Sequence, residues 1–273
     1  MILAPSPWWT ALPSLGAALG YAWLAWRALQ AQPSPGNALA APARLPAWGM
    51  ALVWVLHALA LGLALSQSPV RFGFAPALSI TAWLVFSVYT LETHLYPQFR
   101  VHWAFAGLGT AAVLLALVFP GAIYLQLSSA WLPLHWALGI ASYGLLATAV
   151  LHGWMMQRAE RAMRSGRGSP ALPLLALERL TFRLVTGAFV LLTLTVVAGW
   201  WFTHLLGPQG WAWTHKTVFT VLSWAVLGTL LWGRVRWGWR GRLAVRLLYG
   251  AAALLLLGYV GSRFVLEVVL QRA

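Results

Sequence analysis

The sequence contains no cysteine, which excludes disulfides, CxxC redox motifs, thiolate metal sites and a cysteine nucleophile. It contains no aspartate either, and its four acids, Glu92, Glu160, Glu178 and Glu267, are widely separated. Two-carboxylate hydrolysis, carboxylate-rich calcium or magnesium sites and Ser-His-Asp catalysis therefore lack their side chains, and no phosphate-cradling glycine loop is present. Charge is scarce altogether: 8% of the 273 residues are charged and 61% are hydrophobic, against roughly 25% charged in soluble domains. These are the proportions of an integral membrane protein.

What charge there is has one sign. Eighteen basic residues, Lys216 being the single lysine, face the four acids. Such an excess can signal nucleic acid, but here the basic residues fall in short segments between apolar runs, where they set membrane topology; no nucleic-acid partner is expected. A helix needs about 20 apolar residues to cross a bilayer. Windows of that length give eight spans, near 8–29, 47–67, 73–91, 103–120, 131–156, 180–204, 214–233 and 243–270. No β-alternation is visible, and the expectation is an all-α bundle of about eight transmembrane helices, a single transmembrane domain over 1–273. Arginines cluster in the odd-numbered loops, most densely at Arg158–Arg183 and Arg234–Arg246, whereas residues 121–130 and 205–213 carry no charge. By the positive-inside rule the odd loops are cytoplasmic and both termini lie outside. Gly107, Gly109, Gly139 and Gly144, inside helices, read as close-packing positions.

Chemistry then falls to histidine, since an ionisable group in a membrane marks a candidate site and neutral imidazole ligates haem iron and other metals. His135 opens the fifth span, His204 ends the sixth and His215 opens the seventh, so all three share one predicted side, the outer one. Between the last two runs GPQGWAWTHK, with Trp200 and Trp201 just before it and Trp211 and Trp213 inside it. Each tryptophan alone reads as an interfacial anchor. Together, beside imidazoles, they would form a shelf for a flat aromatic ligand such as haem. Lys216 and Arg263 are candidates to meet its propionates, although Arg263 also lies one turn from Glu267 and the two can neutralise each other. His57, at the middle of the second span, is read either as an interhelical hydrogen-bond partner or as a buried ligand or relay. His94, His102 and His152 are read as residues of the opposite interface.

The stretches LHWALGIASYGLLATAVLHGWMMQRAERA, LPLLALERLTFRLVTGAFVLLTLTVVAGWWF and WAWTHKTVFTVLSWAVLGTLLWGRVRWGWRGRLAVRLLYGAAALLLLGYVGSRFVLE resemble the cytochrome c assembly protein family (CcmC, CcsA and HemX-like proteins). They look closest to its small YpjD/HemX-like inner-membrane branch. The likeness covers about residues 131–270 and extends more loosely to the HALAL around His57, giving an assembly-like core of about 47–270. The resemblance implies a multi-pass protein of the bacterial inner membrane that binds or handles b-type haem in cytochrome c biogenesis. It implies that Trp211 and Trp213 form the aromatic platform, that His135 is the first external iron ligand, and that Lys216 is the lysine of the haem loop. A separate assembly subunit and apocytochrome c are the implied partners beside the lipid bilayer, and the implied role is that of an assembly factor. The chain departs from the family pattern where W-x-W-D-P-K-E becomes Trp213-Thr214-His215-Lys216-Thr217. It departs again where a second external histidine falls on Leu270, leaving His215 or His204 to replace it. The rival expectation is a regulator or scaffold of haem biosynthesis or respiratory complex assembly that binds no haem.

Overall fold

The computed structural model describes residues 8–30, 47–67, 70–95, 103–124, 132–165, 174–206 and 213–271, with the side chains of all of these except 8–10, 47, 124 and 203–206. The chain forms two compact units, Met1–Leu125 and Gln126–Arg272.

The first unit holds α1 (Trp8–Gln30), α2 (Ala47–Ser66), α3 (Phe74–Leu95) and α4 (Trp103–Val118). Its core is built on Tyr21, Leu24, Val53, Phe86, Ala106 and Val113, all buried. Small residues set the helix spacing: a Cβ on Gly109 of α4 would stand 2.9 Å from the Tyr21 ring, and one on Gly20 of α1 would stand 2.4 Å from Val53. Indole nitrogens inside this apolar unit find partners, Trp54 donating to Ser87 Oγ at 2.7 Å and Trp83 to the Trp54 carbonyl at 3.2 Å. The all-α expectation holds for nearly all of the described residues, with one small addition. Two three-residue strands, β1 (Val70–Phe72) and β2 (Ala122–Tyr124), pair antiparallel with Arg71 opposite Ile123. Gly121 makes the pairing possible: its φ is +87°, and a Cβ would lie 2.5 Å from the Phe72 carbonyl carbon, a conformation and an approach that only glycine tolerates. The ladder ties the α2–α3 connection to the segment after α4, so both lie at one end of this unit, as expected for two even-numbered loops.

The second unit holds α5 (Leu132–Arg164), α6 (Leu174–Leu206), α7 (His215–Trp237) and α8 (Gly241–Leu256). The last helix continues through a π-helical stretch Leu257–Gly261, a single α turn Ser262–Phe264 and a second π-helical stretch Val265–Val269. Leu146, Ala149, Val185, Ala188, Leu192, Leu227, Leu230, Leu248 and Leu255 form its core. The helices alternate in direction. His135 at the start of α5 lies against Gly199 near the end of α6, and the Lys216 backbone at the start of α7 lies near Gly258 of the last helix. At the other end Arg234 of α7 binds Glu178 of α6. The two ends are called below the histidine end and the arginine end.

Among the described residues six helices are long and apolar enough to cross a membrane, while α4, with 16 residues, is apolar but shorter. Many large apolar side chains point outward, among them Leu19, Val118, Val197, Trp232 and Val235, which suits a lipid solvent and not water. Both α5 and α6 run 33 residues, about 50 Å at 1.5 Å per residue, well beyond a hydrocarbon core of about 30 Å. Their excess is charged and lies at the arginine end, where Glu160 pairs with Arg164 one turn on.

Candidate functional site

At the histidine end, α5 begins at Leu132 with the sequence LPLHW, which sets His135 one turn in. Its half-buried ring lies over the α6 backbone: a Cβ on Gly199 would be 3.2 Å from the imidazole Cε1. Glycine at 199 is thus what lets an imidazole sit against α6. His135 Nδ1 is buried and makes no hydrogen bond of good geometry among the described residues, although the Thr195 backbone is close. Buried polar atoms are normally satisfied, so this nitrogen stands out as a candidate ligand group.

Helix α7 starts beside it by a local device. Thr214 is extended, and its hydroxyl accepts from the Thr217 backbone N–H at 3.4 Å, the N-cap that a free helix start needs. The cap places His215, which is exposed, on the first helical residue and Lys216 on the second. Trp213 precedes them and is 69% exposed. Arg263 sits in the single α turn between the two π-helical stretches and faces the Lys216 charge. Gly258, one turn earlier, approaches Phe219 Cβ and the Lys216 carbonyl, which brings the two basic residues to one end of the α7–α8 pair. Arg263 and Glu267 both have interaction partners.

The structure therefore brings His135, Trp213, His215, Lys216 and Arg263 to the same end of one unit. His204 falls in the last turn of α6, with its side chain outside the described residues, and Trp211 lies outside them altogether. Trp200 and Trp201, near the end of α6, are about half exposed. Among the described residues no three histidines or acids converge as a metal cluster, which leaves single imidazoles as the ligands available.

His57 belongs to the other unit and is wholly buried. Its Nδ1 is 3.0 Å from the Tyr21 hydroxyl on α1 and its Nε2 is 2.9 Å from Ser79 Oγ on α3. This geometry is the first of its two expected roles, a hydrogen-bonding hub joining α1, α2 and α3, and in it both ring nitrogens are used. His94 is exposed and bonds the Thr90 carbonyl through Nδ1 at 2.9 Å. His152, expected near the opposite interface, is fully buried on α5 and has neighbours to interact with. Its adjacency to Gly153, which packs on Val245 and Leu248 of α8, was the available sequence signal, since a small residue beside it marks a helix contact.

At the arginine end the α7–α8 connection is a tight turn. Gly238 and Gly241 have φ of +67° and +60°, and Trp239 folds back so that a Cβ on Gly233 would meet its ring at 2.2 Å. Glu178, almost buried, takes Arg234 as its ion-pair partner with Arg240 3.7 Å away, and the Arg234 guanidinium lies over the Phe182 ring at 3.8 Å. Sequence reasoning saw these arginines as topology determinants and missed the buried carboxylate that organises two of them.

A helical bundle with long apolar helices, outward-facing leucines and an Arg-rich end is a multi-pass membrane protein. Residues 44–270 match the family described as Cytochrome C assembly protein, and the chain belongs to that family. It is 31% identical over 139 residues to "Inner membrane protein YpjD" of Escherichia coli (strain K12), covering 50% of this chain and 52% of that one. It is 33% identical over 144 residues to a 28.8 kDa protein of Azospirillum brasilense, covering 51% and 53%. Over 141 residues it is 29% identical to "Cytochrome c biogenesis protein CcsA" of a Synechococcus strain, covering 42% and 45%. The chain spans about half the length of the curated relatives it matches. No solved structure matches it. With its apolar helices, this kinship makes it a multi-pass protein of a bacterial inner membrane.

Proposed function

We propose that this protein is an assembly factor of cytochrome c biogenesis that holds haem at the histidine end of its second unit. In this reading all eight helices cross the membrane, both termini lie outside, and the histidine end faces outward. The observation that carries the proposal is His135: a half-buried imidazole with a buried nitrogen lacking a good hydrogen bond, seated on a glycine, at the same end as Trp213, His215 and Lys216.

The donor set fits a porphyrin. His135 supplies an imidazole for iron, and exposed His215, or His204, is a candidate for the opposite side. Trp213, with Trp211, offers an indole face for stacking, and Lys216 and Arg263 supply cations suited to carboxylates. The haem is b-type in this reading, because a chain without cysteine cannot form thioether bonds to it. Haem would bring the iron and the vinyl groups that apocytochrome thiols attack. This chain's own residues bind it, orient it and shield one face from water. Apocytochrome c and a separate assembly subunit are the partners this reading requires.

Purification from haem-replete cells, followed by a pyridine haemochrome assay, tests it. Wild-type protein is expected to carry haem and His135→Ala to lose most of it, with a smaller loss in Trp213→Ala. Folded wild-type protein without haem would favour the scaffold reading, to which Leu270, half exposed at the end of the last helix where the family resemblance expects a histidine, already lends some weight.

A further inference from the structure

The first half of α8 has two unlike faces. Ala244, Val245, Leu248, Ala251 and Leu255 are buried against the bundle. Opposite them, Arg242, Arg246, Gly250, Ala253 and Leu257 follow one another at spacings of three and four residues, which places them in one stripe along the helix. Arg242 and Arg246 are exposed, and so are Ala253 and Leu257. A Cβ on Gly250 would meet nothing within 4 Å among the described residues. The stripe thus begins with two guanidiniums a turn apart, passes a gap left by glycine, and ends on apolar surface.

From these features we infer that this face of α8 is a binding site for one anionic phospholipid, its phosphate held by Arg242 and Arg246 and an acyl chain lying over Gly250, Ala253 and Leu257. Guanidinium is the side chain suited to bidentate contact with phosphate oxygens. From Arg246 to Leu257 the helix rises about 16 Å at 1.5 Å per residue, close to the roughly 15 Å depth of one leaflet's hydrocarbon. No carboxylate competes: Glu178, the acid at the α7–α8 turn, is already taken by Arg234 with Arg240 close by, and Glu160 is taken by Arg164. Arg236 and Arg240, also exposed at that turn, add to the positive potential from which an anionic headgroup gains. Topology signals need only charge near a helix end; they do not call for an open position at Gly250 and exposed apolar side chains directly beneath the charges.

The experiment is native mass spectrometry of the full chain in zwitterionic detergent, titrated with phosphatidylglycerol or with phosphatidylcholine of the same acyl chains. Phosphatidylglycerol is expected to bind preferentially. The double variant Arg242→Gln/Arg246→Gln is expected to weaken it about 30-fold, from the contribution typical of two basic residues at an anionic membrane surface. Gly250→Leu, which leaves the charge alone and fills the groove, is expected to weaken it several-fold. Arg183→Gln, removing an exposed arginine of α6, is expected to change it less than twofold. Equal binding of the two lipids, an unaffected double variant, or an equal loss in Arg183→Gln would overturn the site. So would inorganic phosphate displacing the lipid, which would make the ligand a soluble anion, and an unaffected Gly250→Leu would remove the acyl groove. Thermal unfolding in the same detergent separates loss of the site from loss of the fold.

Discussion

Two histidines of similar chemistry have opposite surroundings, and that difference sets what each is expected to do. His57 ties three helices together through Tyr21 and Ser79 inside an apolar unit. Removing the ring leaves two buried hydroxyls without their partner, a loss of about 2 kcal/mol. His57→Leu should therefore lower the unfolding midpoint in a mild detergent, measured by circular dichroism, and Tyr21→Phe should lower it less. His135, half-buried and without a good bond at Nδ1, holds little together. His135→Ala should leave that midpoint nearly unchanged while altering any bound chromophore. Gly199 provides a test of position: a valine there would run into the imidazole, whose Cε1 already lies 3.2 Å from an ideal Cβ. Gly199→Val is expected to mimic His135→Ala in the haem assay, and a normal haem content would show that the α6 backbone does not seat the ring.

At the scale of elements, the ion pair between α6 and α7 does the work of a clasp. Breaking a largely buried pair from one side strands a charge, at a cost of about 2–3 kcal/mol given the partial exposure here. Glu178→Ala should accordingly destabilise the second unit, and the double change Glu178→Ala/Arg234→Leu should recover part of the loss; no recovery would place the cost elsewhere. Element positions were legible because long apolar runs separated by short charged or polar segments leave few other arrangements, and the observed helices follow the expected windows, although among the described residues six of them are long and apolar enough to span a bilayer. Their ends were less legible. The runs were expected to stop near residues 156 and 180, yet α5 reaches Arg164 and α6 starts at Leu174. A hydropathy window ends where charge begins, whereas a helix rich in Ala, Met, Arg and Glu continues until a breaker. Strands of three residues carry no alternation to detect, so β1 and β2 were invisible until Gly121 was seen against Phe72. Of the glycines read as packing positions, a Cβ on Gly109 would meet the Tyr21 ring and one on Gly139 would lie 3.6 Å from Thr195, but one on Gly107 would meet nothing within 4 Å among the described residues. Composition alone cannot say which side of a helix a glycine occupies.

At the scale of the whole molecule, charge asymmetry is the evidence for sidedness, and it is testable. A reporter fused after Gly168 should behave as cytoplasmic and one fused after Gln209 as exported; the reverse pattern would invert the proposed topology and put the histidine end inside. The candidate site was partly legible for the same reason, since helices that alternate in direction bring the start of one to the end of the next. That logic assembled His135, His215 and Lys216, but it could not foresee the glycine beneath His135 or the full burial of His57 and His152, which depend on rotation about each helix axis. The central claim is that the His135 imidazole ligates haem iron, and chemical rescue addresses it most directly. His135→Gly would be purified, supplied with haem and titrated with imidazole while its Soret band is followed. Haem that is weakly held or altered in the variant, and returns toward the wild-type spectrum as imidazole fills the space, is the predicted result. A variant spectrum identical to wild type before imidazole is added, or one that imidazole leaves unchanged, would contradict it.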